Sequence, residues 1–97
     1  MYRVKFPTSS IERKFFKALD SVSPKTFQKE ILDTARSLAQ NPRPKGEPKI
    51  NPPIETYDYL ARYRLPIANW RILYDVEDSA KTVWLLALRK RNERTYR

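Results

Sequence analysis

The chain has no cysteine and no histidine among its 97 residues, and it has a single glycine and a single methionine. The lack of cysteine excludes a disulfide framework, an iron–sulfur cluster and a thiol nucleophile. The lack of histidine removes the usual general base, the commonest zinc ligand and any Ser–His or Cys–His pair. We therefore expect no metal and no other cofactor, and any catalysis must rely on other groups.

Long apolar runs are also missing. No segment approaches the roughly 20 apolar residues of a membrane span, and the first residues have no apolar run that suits a signal peptide. The expected location is the cytoplasm. Acidic residues are few: 20 Lys and Arg face 11 Asp and Glu, which gives a net charge of +9. Such a charge attracts polyanions, so nucleic acid, an acidic protein and an anionic membrane are all compatible with it.

The length predicts a single domain over residues 1–97. Residues 2–6 alternate between apolar and basic side chains, which predicts a half-buried strand. Apolar residues at helical spacing predict a first helix from about Ser10 to Ser21. Ser9 is its candidate N-cap, and Glu12 would complete a capping box.

A second helix is predicted to start at Ser23 as N-cap, with Pro24 in its first turn, and to end near Gln40. The short connection between two amphipathic helices predicts a helical hairpin. Residues 41–53 include five prolines and the single glycine, and we predict a loop there that either connects elements or touches a partner.

Three strands are predicted in the second half of the chain, over residues 57–65, 70–76 and 82–88. The last is a continuous apolar run, which is typical of a central strand covered on both faces. The sequence thus predicts an α+β fold of order β-α-α-β-β-β, with the helical hairpin packed on one face of a small, largely antiparallel sheet. The tryptophans, Tyr59 and Tyr63 are expected in its core.

Arginines recur at alternate positions of these strands. If residues 66–69 close a hairpin in which Leu65 pairs with Trp70, then Arg64 lies opposite Arg71, and Arg62 lies on the same face. Adjacent cations destabilise a sheet, but a guanidinium fork matches two oxygens of a phosphate. The alternative is a solvated surface with Asp58, Asp75 and Glu77 as ion-pair partners.

The order of elements, the segment Trp-Arg-Ile-Leu-Tyr at residues 70–74 and the basic stretch at residues 89–97 together resemble the RelE/ParE superfamily of toxins from type II toxin–antitoxin systems. The resemblance implies a metal-free endoribonuclease that cleaves mRNA in the ribosomal A site through attack of the 2′-OH. It also implies a cognate antitoxin as partner, expected to be acidic and to supply an amphipathic helix, and no membrane partner.

The resemblance also implies roles for individual residues. Four residues match catalytic positions, where the arginines would stabilise charge and the tyrosine would stack on a base or help proton transfer: Arg64, Arg71, Arg91 and Tyr96. Four more are expected to contact RNA: Arg62, Arg89, Lys90 and Arg94. Well-studied RelE-like members have lysines where this chain has Arg62 and Arg64. Because arginine is a poor general base, Tyr96, a water or the ribosomal RNA is left to accept the proton.

Two alternatives remain open at the level of sequence. ParE-like members share the fold, lack the nuclease residues and poison DNA gyrase, which would then be the partner. A basic domain of this kind could also bind nucleic acid without any catalysis.

Overall fold

A computed structural model of the chain describes residues 1–44 and 49–90. Two helices and five strands follow in the order β1 (Arg3–Lys5), α1 (Ser9–Asp20), α2 (Lys25–Ser37), β2 (Lys49–Thr56), β3 (Tyr59–Ile67), β4 (Trp70–Glu77) and β5 (Thr82–Lys90). The sheet order is β1-β5-β4-β3-β2, with β1 parallel to β5 and the other three pairings antiparallel. The predicted α+β class and the largely antiparallel sheet are confirmed.

Helix α1 begins one residue earlier than predicted. Thr8 is the N-cap, because its Oγ1 accepts a hydrogen bond from the Ile11 N–H at 3.1 Å. Ser9 is already helical, so the predicted capping box of Ser9 and Glu12 is wrong. Both threonine and serine hydroxyls can cap a helix, and here Thr8 has the extended backbone of an N-cap.

Helix α2 is shorter than predicted at both ends. Its N-cap is Pro24, without a side-chain hydrogen bond, and it ends at Ser37 with Leu38 as C-cap. The N–H groups of residues 38–40 each bond to the carbonyl three residues earlier, at 3.0 to 3.2 Å. This tighter turn ends the α-helix before Gln40. At the other end, the Gln28 side chain donates to the Val22 carbonyl at 2.9 Å and fixes the connection from α1.

Both helices pack on the same face of the sheet and form the main core with it. The helical contribution comes from residues at the predicted spacing, and β3 and β4 contribute every second residue. The fully buried members with the largest side chains are Phe15, Ile31, Leu38, Ile72 and Tyr74. Burial of such side chains contributes about 1.5–3 kcal/mol each relative to exposure, and this term holds the hairpin on the sheet.

Strand β2 was not predicted, because its segment has the composition of a loop. It lies at the edge of the sheet and pairs with β3, and its register shifts between Lys49 and Ile54. Pro52 and Pro53 lie within that irregular part. Proline lacks the N–H that a central strand must donate, but an edge strand with a bulge tolerates it. The part of the predicted loop from Lys49 onward is therefore a strand.

The hairpin between β3 and β4 is tighter than the predicted four-residue turn. Ile67 pairs with Trp70 around a two-residue turn in which Ala68 has a φ of 53°. The predicted pairing of Arg64 with Arg71 is therefore wrong, since Arg64 lies opposite Leu73. The register differs from the prediction by two residues. Because side chains alternate with a period of two, every residue keeps its predicted face.

Strand β5 contains one extra residue where it pairs with β4. Leu73 pairs with Ala87 and Tyr74 pairs with Leu85, so Leu86 has no direct partner. Leu85 and Leu88 belong to the core under the helices, whereas Leu86 and Ala87 belong to a second buried cluster with Leu73 and Ala61. The bulge thus turns two consecutive residues of β5 away from the helices.

Arg43, in the loop after α2, ties that loop to the sheet. Its Nε donates to the Tyr63 hydroxyl at 3.1 Å, and one terminal nitrogen donates to Asp78 Oδ2 at 2.9 Å. The Tyr2 hydroxyl also donates to Asp78. The hydrogen bonds from Arg43 and then from Tyr2 hold the pKa of the Asp78 carboxyl below its ordinary value. Arg43 and Asp78 together thus join the residue before β1, the loop after α2, strand β3 and the β4–β5 turn.

Candidate nucleic-acid interface

The side of the sheet turned away from the helices carries the arginines of β3, β4 and β5. Arg71 pairs directly with Arg89 on β5 and with Pro66 on β3, and Arg64 lies one row further along, opposite Leu73. We call Arg62, Arg64, Arg71 and Arg89 the arginine face. Their neighbours in sequence on β3, β4 and β5 point to the helices and are buried, among them Tyr63, Leu65, Ile72 and Leu88.

The pairing of Arg71 with Arg89 concentrates positive charge. Directly opposed Cα atoms in an antiparallel ladder lie about 4.5–5.5 Å apart, and like charges in such pairs destabilise the sheet. Arg89 and Arg64 are exposed and Arg71 is half-buried. An anion that accepts hydrogen bonds from two of these guanidinium groups would offset the repulsion, and a phosphodiester has the charge and the oxygen geometry to do so.

The predicted site residues fall into three groups. The structure brings Arg62, Arg64, Arg71 and Arg89 to one face of the sheet. Lys90 is exposed and pairs with Trp70, so it belongs to the opposite side of the strand. Three further predicted residues lie outside the described residues: Arg91, Arg94 and Tyr96.

Asp75 is a polar residue of the arginine face that the sequence suggested only as a counter-ion. Its Oδ2 lies 3.5 Å from a terminal nitrogen of Arg62, and its side chain is 21% exposed. Burial raises the pKa of the Asp75 carboxyl, against the lowering effects of the Val76 N–H and of Arg62. Its Oδ1 is shielded from water without a well-formed hydrogen bond to the described residues.

A cleft of about 630 Å³ opens beside Asp75 on the same side of the sheet. We call it the Trp84 cleft, and its principal walls are Tyr59, Leu60, Arg62, Asp75, Glu77 and Trp84. The Trp84 Nε1–H donates to Glu77 Oε1 at 3.0 Å, which sets the orientation of the indole ring. Trp84 is only half-buried and lies outside the helix-packed core.

Tyr59 and Leu60 are unusual among the apolar residues of the strands. They are 39% and 46% exposed at the start of β3. The expectation that Tyr59 belongs to the core is therefore wrong, whereas Tyr63 is buried as predicted. The alternation that identified Tyr63 extends formally to Tyr59, but Tyr59 is not among the residues of the helix-packed core.

Two further findings bear on the kind of protein. Among residues 1–44 and 49–90, no group of three or more potential metal-ligating side chains lies close enough together to hold an ion. No helix in this described part of the chain is long and apolar enough to cross a membrane.

Comparison with solved structures finds the same fold in several toxins. The RelE chain of the archaeal RelE–RelB complex from Pyrococcus horikoshii is 27% identical, with a TM-score of 0.67 over 95% of this chain and 97% of that chain. The matching chain of the intact Escherichia coli RelBE complex is 15% identical, with a TM-score of 0.63 over 96% of this chain and 99% of that chain. The matching chain of the Mycobacterium tuberculosis RelBE2 complex is 22% identical, with a TM-score of 0.62 over 93% of this chain and 91% of that chain. The last two show the fold alone.

Comparison with protein families gives one match that covers most of the chain. Residues 10–95 match the family model described as the ParE toxin of type II toxin–antitoxin systems. None of the curated proteins matches the sequence significantly. The family match and the RelE-like fold agree with the resemblance seen in the sequence. The chain therefore belongs to the RelE/ParE superfamily of toxins from type II toxin–antitoxin systems.

Proposed function

We propose that this toxin is a metal-free endoribonuclease that cleaves mRNA in the ribosomal A site. The observation that carries the proposal is the pairing of Arg71 with Arg89, with Arg64 one row away on the same face. Cleavage of a phosphodiester requires positive charge where the transition state becomes more negative, and arginines grouped on one face can supply that charge.

The proposed reaction needs three kinds of group. The 2′-oxygen of a ribose attacks the adjacent phosphorus and gives up its proton, and the bond from phosphorus to the 5′-oxygen breaks. The 5′-oxygen takes up a proton, so the products are a 2′,3′-cyclic phosphate and a 5′-hydroxyl. Arg64, Arg71 and Arg89 would bind the phosphoryl oxygens and stabilise the added negative charge. Arg91, which matches a catalytic position of the family, would act near the leaving oxygen.

The proton acceptor must come from outside the arginine face. Arginine stays protonated, so it cannot take the proton of the 2′-OH. Asp75 is four residues from Arg71 along β4, about 13 Å at the usual rise of a strand, which is beyond hydrogen-bonding reach of the same ribose. Tyr96, a water and the ribosomal RNA are the remaining candidates for this role.

The charge of the chain also supports a proposed partner. With a net charge of +9, the toxin would bind an acidic antitoxin through complementary potentials. The solved relatives from P. horikoshii, E. coli and M. tuberculosis are complexes of a toxin with its antitoxin. We therefore propose a cognate antitoxin with an amphipathic helix, and a cytoplasmic location where ribosomes and antitoxin are both present.

Expression of the wild-type chain and of Arg71→Ala tests the nuclease. Wild type should stop growth, and primer extension on translated mRNA should show cuts linked to codons. Arg71→Ala should reduce cutting about a hundredfold or more, because it removes one donor to the transition state. Arg36→Ala, which removes the same charge from an exposed position of α2, should cut like wild type.

Two results would contradict the nuclease. Intact mRNA together with trapped gyrase–DNA breaks would establish the second candidate, gyrase poisoning, which the match to the ParE family favours. Salt-sensitive RNA binding without growth arrest would indicate a non-enzymatic binder. The thermal melting temperature of Arg71→Ala must stay near that of wild type, since an unfolded variant would show only that Arg71 is structural.

A further inference from the structure

Strand β1 carries two cations that the proposed function does not use, Arg3 and Lys5. Val4 lies between them and pairs with Val83, and both valines pack into the core under the helices. Because side chains alternate along a strand, Arg3 and Lys5 point to the opposite side of the sheet, which is the side of the arginine face. Both are exposed, and neither forms an ion pair within the part of the chain that the structure describes. Their charges are therefore available to an anion.

An aromatic ring lies beside these two cations. Lys5 pairs with Trp84 on β5, and Arg3 pairs with Thr82, the next residue of β5 on the same side. The half-buried Trp84 donates its Nε1–H to Glu77 Oε1 at 3.0 Å, which fixes the orientation of the indole. Proteins that bind single-stranded nucleic acid combine cations for the phosphates with aromatic rings for the bases. We call Arg3, Lys5 and Trp84 the β1 patch.

We propose that the β1 patch binds the RNA strand a few nucleotides away from the phosphate that is cleaved, and so positions the strand on the arginine face. The inference rests on the proposed function in that mRNA is the ligand. It adds a second contact surface on the same side of the sheet, and this surface touches neither the attacking 2′-oxygen nor the scissile phosphate.

The distance between the two surfaces means that they hold different phosphates. Lys5 lies next to Trp84, which pairs with Asp75, four residues from Arg71 along β4. Four residues span about 13 Å along the sheet and two strand spacings span about 10 Å across it, so the Cα atoms of Lys5 and Arg71 are about 16 Å apart. Strand side chains stand roughly perpendicular to the sheet. One phosphodiester therefore does not contact both residues, whereas a strand of several nucleotides does.

Two acidic residues share this side of the sheet, and both lie on β4. Asp75 pairs with Arg62, and Glu77 accepts the indole N–H of Trp84. Strand β5 separates them from β1, so they are about two strand spacings, or roughly 10 Å, from the cations of the β1 patch. Salt at physiological concentration screens charges over about 8 Å. The two carboxylates therefore repel phosphates at the β1 patch only weakly.

RNA suits the β1 patch better than an acidic protein segment does, because RNA uses all three of its residues. Phosphates pair with the two cations, and a base stacks on the indole. The Trp84 cleft gives that base room, since its volume is about 630 Å³ and Pro7, just after β1, forms part of its wall. An acidic segment would use the cations alone. Stacking accepts any base, so the β1 patch adds affinity without sequence preference.

The experiment compares RNA of two lengths. The probes are a 2′-O-methyl uridine hexamer and the corresponding dinucleotide, which has a single phosphodiester; in both, the methyl group blocks the attacking oxygen. The double variant Arg3→Gln/Lys5→Gln is compared with wild type and with Lys29→Gln/Arg36→Gln. This control removes the same two charges from exposed positions of α2, on the helix side of the sheet. NMR titrations at low and high salt give the affinities.

The proposal expects a difference that only the longer RNA reveals. Raising the salt from 50 to 200 mM should lower the affinity of wild type for the hexamer about sevenfold more than that of the double variant, because each phosphate contact to a single strand contributes about 0.7 to the log–log slope. The control should behave like wild type. The dinucleotide should bind wild type and the double variant equally.

The indole N–H signals give a second reading. The hexamer should shift the signal of Trp84 and leave that of Trp70, which packs against the core on the helix side, in place. The dinucleotide should shift neither. Circular dichroism melting shows whether the double variant folds. If it does not, Arg3→Gln and Lys5→Gln are measured singly, and each should reduce the salt effect between two- and threefold.

Four results would overturn the proposal. They are a double variant with the salt dependence of wild type, an equal loss of hexamer and dinucleotide binding, no binding of the hexamer to wild type at the lower salt, and weaker binding of hexaglutamate with RNA binding unchanged. The last would assign the cations to an acidic protein. The first would leave them as charges that protect the edge of the sheet from pairing with other chains.

The proposed nuclease is judged separately, by cutting in cells. Arg71-dependent cutting together with an unaltered double variant would refute the β1 patch and leave the nuclease. The expected hexamer results without any cutting would refute the nuclease and leave the β1 patch as an RNA-binding surface.

Discussion

The Arg43–Asp78 pair and the Arg62–Asp75 pair bring the same two side-chain types together at different regions of one sheet. In the first, nitrogen and oxygen lie 2.9 Å apart, the tyrosines at positions 2 and 63 complete the group, and the pKa of Asp78 is lowered. In the second, the distance is 3.5 Å and the pKa of Asp75 is raised by burial. The more exposed carboxylate is the better stabilised one.

The difference separates a structural pair from a pair that suits a ligand. Asp78 gains charge-assisted hydrogen bonds in the folded state that it lacks when unfolded, so its ionised form contributes to stability. The free energy of hydration that ionised Asp75 loses on folding is larger than the favourable interaction it gains with Arg62, so the ionised form opposes folding. A carboxylate kept in an unfavourable position beside a cleft is a candidate for binding, whereas a well-satisfied one is a candidate for holding the fold.

The largest difference between the two pairs is expected when the arginine of each pair is removed. Arg43→Ala should lower the free energy of unfolding by about 2 kcal/mol, because it breaks hydrogen bonds to a carboxylate and to the largely buried Tyr63. Arg62→Ala should change it by less than about 0.5 kcal/mol, since its contact is long and exposed. Urea denaturation at pH 7 measures both. Equal losses would show that the two pairs have the same role.

A smaller effect, of opposite sign for the two pairs, comes from neutralising each aspartate. At pH 7, Asp78→Asn should lower the melting temperature, whereas Asp75→Asn should leave it unchanged or raise it. The folded pKa of Asp78 lies below its unfolded value, so its contribution is present above about pH 4 and is lost as the pH falls through the folded pKa. The folded pKa of Asp75 lies above its unfolded value, so stability rises as the pH falls through it.

Melting curves from pH 7 to pH 3 check these signs. The deficit of Asp78→Asn should shrink at the acid end, and any gain of Asp75→Asn should vanish there because protonated aspartic acid is neutral like asparagine. Asp58→Asn, which alters an exposed turn residue, is the control for the change in net charge. A gain of Asp75→Asn that persisted at pH 3 would contradict the assignment to charge burial.

The smallest effect is expected for an exposed ion pair on a helix, which serves as a reference for the other two pairs. Asp33 and Arg36 form a third pair on α2, with a distance of 3.8 Å and side chains 56% and 74% exposed. The double-mutant cycle of Asp33→Ala and Arg36→Ala should give a coupling of about 0.3 kcal/mol, typical of helical pairs at this spacing. Raising the salt concentration should remove it. If this coupling exceeded that of Arg43 with Asp78, exposure and distance would not explain the contrast.

Alternation in the sequence was enough to predict the face that Arg62, Arg64 and Arg71 occupy. The predicted register of β3 against β4 was wrong by two residues, yet Arg62, Arg64 and Arg71 share a side because the error was an even number. The helices were predictable because their apolar residues recur at helical spacing, and this pattern identifies a helix even when its predicted ends are wrong by a residue.

Other features depend on contacts between distant residues. Strand β2 exists because β3 offers it a free edge, and its prolines hide it from any local pattern. Arg43 and Asp78 are far apart in the chain, and nothing near either residue marks them as partners. An alternating tyrosine pattern could not tell exposed Tyr59 from buried Tyr63, because both have the same parity in β3 and only Tyr63 belongs to the helix-packed core.

The extra residue in β5 makes the strand unequally sensitive to single-codon deletions. Loss of Leu86 would restore plain alternation, because Leu85 would still face the helices and Ala87 would still face away from them. Trp84 and Arg89 would keep their sides of the sheet. Loss of Trp84 would instead join Val83 directly to Leu85, two residues that both face the helices, so one of them would have to turn away. In a library of one-residue deletions, we therefore expect the loss of Leu86 to be tolerated better than the loss of Trp84.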